Sequence, residues 1–196
     1  MTIKLQPGST FDGTLTETNT ASRTYYLPNQ DSGLGLVLDT PQATTTGTFK
    51  DFTIPPWAKR ITVMLSGVST NSTTRRVLRL GTSGGIQTST YTGKTVGGQT
   101  SFSTTYDWSD GVELRHAGTD DATLTLFGAV TFTLLSSASN IWSVTGALNR
   151  SAGTSESSVL GGSITLSGAV TTLRFTTGTG TGSDTFDAGT VNVLCE

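Results

Sequence analysis

The stretch from residue 123 to residue 134 constrains the fold more than any other part of the chain. Leu124, Leu126, Gly128, Val130, Phe132 and Leu134 share one face, while Thr123, Thr125, Thr131 and Thr133 share the other. A period of two is the mark of a half-buried strand, because successive side chains on an extended backbone point to opposite sides. Gly128 falls on the apolar face, where a missing side chain points to a bend or to a close backbone approach.

The pattern recurs along the chain. Ile61, Val63 and Leu65 oppose Thr62 and Met64, directly after Ile54-Pro-Pro-Trp57, whose prolines belong at the start of a strand or outside it. Further strands are predicted over 141–148, 159–166, 170–175 and 190–194, with Gly, Asn and Ser between them. Asp110-Gly111 lies between the β-type segments 104–108 and 112–116 and predicts a tight hairpin. Residues 81–111 read as the most irregular part, an exposed loop region, and Trp57 and Trp142 read as core. Strands at this spacing with no helical segment between them give an all-β fold, an antiparallel β-sandwich of jelly-roll type.

Composition agrees. Only 13% of the residues are charged, and Gly and Thr stand where Lys and Glu would supply good helix formers. The chain of 196 residues suffices for one sandwich and an arm. Residues 1–40 hold three short β-type pieces too small for a core, and read as an extended N-terminal β arm for assembly or anchoring; 41–196 form the sandwich domain.

A net charge of −2 gives no field to gather phosphate backbones, so nucleic acid is not an expected partner. Cys195 is the single cysteine, which excludes an intrachain disulfide and a four-cysteine zinc site. No secretory leader and no membrane-spanning apolar run is read, so the chain is expected to start in a cytoplasm.

Several motifs invite a chemical reading. Gly81-Thr-Ser83-Gly-Gly85 spells a nucleophile elbow, with Asp107, Asp110 and His116 following in hydrolase order. That chemistry needs a strand-to-helix turn, and a chain rich in Gly, Ser and Thr produces the spelling by chance, so the loop reading is preferred. The Thr88–Thr95 stretch ends like a phosphate loop but lacks its first glycine and a following helix. His116 is the only histidine and makes no metal site alone. Asp107, Asp110, Asp120 and Asp121 do not fit the EF-hand calcium spacing and read as turn residues. With Glu113 they could also supply the carboxylate pair of a carbohydrate-active hydrolase, the remotest alternative. No catalytic residue, metal or cofactor is assigned.

Two surface sets are assigned instead. Tyr91, Phe102, Tyr106 and Trp108 are the candidate receptor contacts, since aromatics on loops serve to stack on sugars or anchor in protein pockets. Arg75 and Arg79 alternate onto one face, away from Arg76, and are the candidate subunit contacts on a solvated or subunit-facing edge.

Two segments carry a resemblance. The run from Phe52 to Asn71, FTIPPWAKRITVMLSGVSTN, together with DTFDAGTVNVL from Asp184 to Leu194, resembles a β domain of tailed-phage virion proteins, of fibre or appendage and of head-decoration type. Gly13 to Pro28 is similar to the short β pieces that link fibre domains. The resemblance implies a virion structural protein, a tail-fibre or appendage subunit touching the host surface, or alternatively a capsid decoration protein stabilising the shell. It implies a homotrimer, other virion proteins as partners, and a host glycan or protein as receptor. It brings no catalytic motif, and low charge favours a chain whose sheet edges are covered within an oligomer.

Overall fold

The computed structural model describes residues 35–98, 103–115, 122–151, 156–178 and 183–196. Every regular element among them is a strand: β1 (Val37–Leu38), β2 (Gln42–Ala43), β3 (Phe49–Thr53), β4 (Arg60–Thr70), β5 (Arg76–Thr82), β6 (Gly85–Ile86) and β7 (Tyr91–Gly98), then β8 (Ser103–Asp107), β9 (Val112–Leu114), β10 (Thr125–Ser136), β11 (Ile141–Ser151), β12 (Glu156–Thr165), β13 (Thr172–Thr177) and β14 (Phe186–Cys195). They form a wide sheet, β1-β14-β4-β10-β11-β12-β7-β8 with β2 also on β14, and a small sheet, β3-β13-β5-β6 with β9 also on β5. All pairings are antiparallel.

Eight strands define the topology. Taken in chain order as β2, β3, β4, β5, β9, β10, β13 and β14, they place first-eighth-third-sixth in the wide sheet and second-seventh-fourth-fifth in the small one. This is jelly-roll winding, as the alternating patterns predict. Two hairpin insertions then widen one sheet only: β11 and β12 extend it beyond β10, and β7 and β8 extend it beyond β12.

The core lies between the sheets. Ile61, Val63, Val130, Phe132, Val144 and Ile164 point in from the wide sheet and meet Phe52, Leu78, Leu80, Leu173 and Phe175 of the small one. Burying each such side chain contributes roughly 1.5–3 kcal/mol. Trp142 is in the core and Trp57 packs half-buried against it. Gly128 has φ 135° beside a register shift between β10 and β4, and a Cβ there would lie 2.9 Å from Leu148 Cα and overlap the Ala147 carbonyl. The glycine on the apolar face thus marks both a bend and a close approach.

Two expectations fail. Asp110-Gly111 is not a hairpin turn: β8 pairs with β7 in the wide sheet and β9 with β5 in the small one, so the dipeptide carries the chain from sheet to sheet. Nor is 81–111 a loop region, for it supplies β6, β7 and β8. Of the arm, residues 1–34 lie outside the described residues, and β1 pairs with β14 of the same chain.

Candidate functional site

The residues singled out in the sequence converge on one corner, where β7, β8 and the β8–β9 crossover pack on β5. Trp108 directly follows β8 and turns inward. Its backbone N–H donates to the Gly93 carbonyl at 2.9 Å, and its indole N–H donates to Thr95 Oγ1 at 2.9 Å. The ring rests on Gly93 of β7 and Gly162 of β12, which stand opposite each other in the ladder. A Cβ on Gly162 would lie 2.6 Å from Trp108 Cζ3, and one on Gly93 would overlap the ring. Two glycines in register therefore form a flat seat for one indole.

Tyr91 is equally internal. Pairing along the edge of β5 passes from β9 to β6 between Leu78 and Gly81, and the Leu80 N–H in that gap donates to the Tyr91 hydroxyl oxygen at 2.8 Å. A buried N–H needs such an acceptor. Burial pushes the Tyr91 phenol well above its ordinary range. Thr95 Oγ1 also donates to the Glu113 carbonyl at 2.6 Å, tying β7 to β9 and closing the sandwich at this corner.

Tyr91 and Trp108 are thus not surface receptor contacts in this fold, since both are about 4% exposed with their polar tips spent inside. Tyr106 is half-buried with the Arg115 guanidinium 4.8 Å from its ring centroid, and Phe102 lies outside the described residues.

Over the outer side of β5 sits a charge cluster. Arg79 places Nη2 2.7 Å from Asp110 Oδ2 and donates Nε–H to the Asp110 carbonyl at 2.7 Å, while Arg75 Nη2 reaches the same Oδ2 at 2.8 Å. Arg75 also pairs with Glu113, whose second oxygen is 2.7 Å from Arg115 Nε. Burial pulls the Arg75 guanidinium down, and Glu113 and Asp110 more than offset this, leaving it raised. Arg75 and Arg79 do share a face, as alternation predicts. They do not form a free edge for another subunit: the Arg79 side chain is 6% exposed and both are taken by carboxylates of their own chain. Arg76 turns to the other side and is fully buried, donating to the Leu124 carbonyl at 3.2 Å. The cluster clasps the crossover to β5, and Gly111 is required beneath it because a Cβ there would overlap Val77 and lie 3.0 Å from the Leu78 carbonyl.

The other motifs resolve locally. Ser83 is the exposed turn of the β5–β6 hairpin, where Thr82 stands opposite Gly85, and no strand-to-helix elbow exists there. Lys94 of the phosphate-loop-like stretch lies in β7 and pairs with Asp107. Asp107, Asp110 and Glu113 are each held by a cation, and His116, Asp120 and Asp121 lie outside the described residues. Among the described residues no group of three His, Cys, Asp or Glu could hold a metal. A pocket lined by Pro56, Lys59, Leu134, Asn140, Trp142 and Val170 measures about 110 Å³, below the roughly 300 Å³ at which small-molecule sites begin.

What sequence reasoning missed is a surface, the outer face of the wide sheet. Met64, Ala129, Ala147, Val159 and Val96 stand side by side across β4, β10, β11, β12 and β7. Val159 is 60% exposed and Val96 39%. No outward residue of β10, β11 or β12 is charged; the nearest charges are Arg60, paired with Glu196, and Lys94, paired with Asp107. No protein-family model, curated protein or solved structure matches this chain at a significant level.

Proposed function

We propose that this chain is a non-catalytic structural subunit of a tailed-phage virion, built into a tail fibre or similar appendage that meets the host surface. The observation that carries this reading is the outer face of the wide sheet. It is broad, lined mainly by Thr, Ser, Ala and Val with Phe127 also exposed on it, and free of charge across three consecutive strands. Covering such a face avoids the desolvation penalty of buried Lys or Glu, which is what a subunit made for assembly needs.

The resemblance supports the same reading. The segment from Phe52 to Asn71 contains β4, the segment from Asp184 to Leu194 contains most of β14, and these strands are neighbours, with Val193 opposite Val63. The two resembling stretches are thus one structural unit. With Tyr91 and Trp108 internal, host contact falls to other surfaces.

Immunogold electron microscopy tests the proposal, using an antibody to the folded chain on tailed particles purified from a lysate of the source cells. Label at the tail is the expected result. Label spread over the head would replace the appendage by shell decoration, and particles without label would sink the virion reading.

A further inference from the structure

Resting on the assembly reading above, we infer that the partner of the wide sheet's outer face is a second copy of this chain, packed face to face about a two-fold axis that runs along β11 at Ala147.

The size order of the central row points to self-pairing. Across the sheet it reads Met64, Ala129, Ala147, Val159, Val96, with Ala147 in the middle. An axis parallel to the strands at Ala147 brings Val159 of one copy over Ala129 of the other and Met64 over Val96, with Ala147 against itself. Next to the axis the larger Val159 then faces the small Ala129 on both sides, the condition for two layers to interdigitate, and Met64 meets Val96 as an apolar contact at the margin. A contact of this kind is isologous, each patch serving as its own complement. The adjoining row, Thr62, Thr131, Thr145, Gly161 and Lys94, brings Thr145 to its own copy and sets Lys94 over Thr62 at the margin, so this flank supplies hydroxyls that both donate and accept. An axis parallel to β11 keeps the two central strands aligned, and the twist within each sheet displaces row ends most and the centre least.

The area fits. β7, with 8 residues, is the shortest of the five strands. Five strands about 4.8 Å apart, rising about 3.3 Å per residue, give a patch of roughly 600 Å² in projection. That approaches the roughly 800 Å² each partner contributes to a standard stable interface. The charges at the patch, Lys94 on β7 and Arg60 at the start of β4, are already paired within the chain with Asp107 and Glu196, so the face can be covered without leaving an unpaired ion.

The test is sedimentation equilibrium of the full chain and three variants. Ala147→Arg sets two like charges against each other at the axis and is expected to weaken association at least about a hundred-fold, as like-charge juxtaposition does. Ala147→Glu behaves the same alone, and an equimolar mixture of the two restores the dimer. Thr53→Lys, exposed on β3 of the small sheet, leaves the wild-type mass unchanged. Should either Ala147 variant fail to give the wild-type circular dichroism, Val159→Lys, at an exposed position of the same row, replaces it and is expected to give monomer. An oligomer indifferent to these changes, a trimer as the sole assembled species, or a wild type monomeric at about 100 μM would overturn the inference. The virion reading fails separately, by absence of immunogold label, and a monomeric chain that still labels particles leaves it standing.

Discussion

The two outer faces of this sandwich are built from opposite materials. Across the small sheet runs a row of charges: Asp51 of β3, Arg174 of β13 and Arg79 of β5 stand side by side, with Asp110 closing the far end. Two arginines face each other across the ladder, and each is neutralised by a carboxylate on its other flank. Arg174 also lies 4.1 Å over the Phe49 ring, and its bond to Asp51 raises its pKa. Across the wide sheet runs a row of Met, Ala and Val with no charge in it. One face uses ions to hold its own loops, while the other is kept free of them over an area a partner could cover. The insertions β7–β8 and β11–β12 enlarge only the second face, so the difference follows from where chain was added to the jelly roll.

The largest expected effect comes from removing what holds the enlargement in place. Gly162→Val drives a branched side chain into Trp108 and into the backbone of β7, where a Cβ alone would sit 2.6 Å from Gly93 Cα. Overpacking of this kind costs up to about 3 kcal/mol, and more where backbone blocks relaxation. Urea unfolding should show a loss at or beyond that figure with Trp108 fluorescence moved to the red. A variant of wild-type stability would mean that β7 and β8 are not seated on the sandwich. Next is Asp110→Ala, which leaves Arg79 buried without its carboxylate and frees one hand of Arg75. Removing one member of a buried ionic network costs about 3 kcal/mol. A cost below about 0.5 kcal/mol, the range of an ordinary surface change, would put the cluster in solvent and erase the contrast between the faces.

These sites explain which parts of the structure were legible in the sequence. β4, β10, β11, β12, β13 and β14 were readable because each alternates aliphatic or aromatic residues with polar or small ones over at least part of its length. β7 was not. Its inward residues are Tyr91, Gly93, Thr95 and Gly97, and the glycines are there because an indole from β8 fills the space, a contact that only the tertiary fold reveals. Asp110-Gly111 misled for a related reason: the dipeptide suits a two-residue turn, yet here the carboxylate is captured by Arg75 and Arg79 and the glycine is fixed by Val77. The charge-free face was invisible because its five central residues are far apart in the chain. Register, which no single strand encodes, brings them into one row.

Raising the pH gives a smaller, graded effect that spares the charged row. Cys195 is buried, and desolvation, with Asp39 adding to it, pushes its thiol from the ordinary 9.0 up to about 11. Between those values the unfolded thiol loses its proton while the folded one keeps it, so stability falls as pH rises above about 9. The Tyr91 phenol, held up mainly by burial, adds a second loss above about 10, its ordinary value. Thermal melts from pH 8 to 11 should decline steadily, and Cys195→Ser should flatten the first part of the slope. The native thiol should also react slowly with a disulfide reagent at pH 8, since the thiolate is the nucleophile. Rapid labelling of the folded chain would place Cys195 at the surface.

The smallest effect is the most discriminating between the faces. Within a single copy, Val159 makes little use of its side chain, so Val159→Thr should change stability by less than about 0.5 kcal/mol. Arg174→Ala on the opposite face removes a bidentate pair with Asp51 and the contact over Phe49, and should cost about 1 kcal/mol in spite of its partial exposure. Measured at sub-micromolar concentration, where copies are apart, the two losses should therefore rank with the charged face first. Raising the concentration should reverse that order, because only Val159→Thr withdraws two methyl groups per dimer from a covered face. If the ranking were the same at every concentration, nothing would be covering Val159, and the contrast would be one of composition alone.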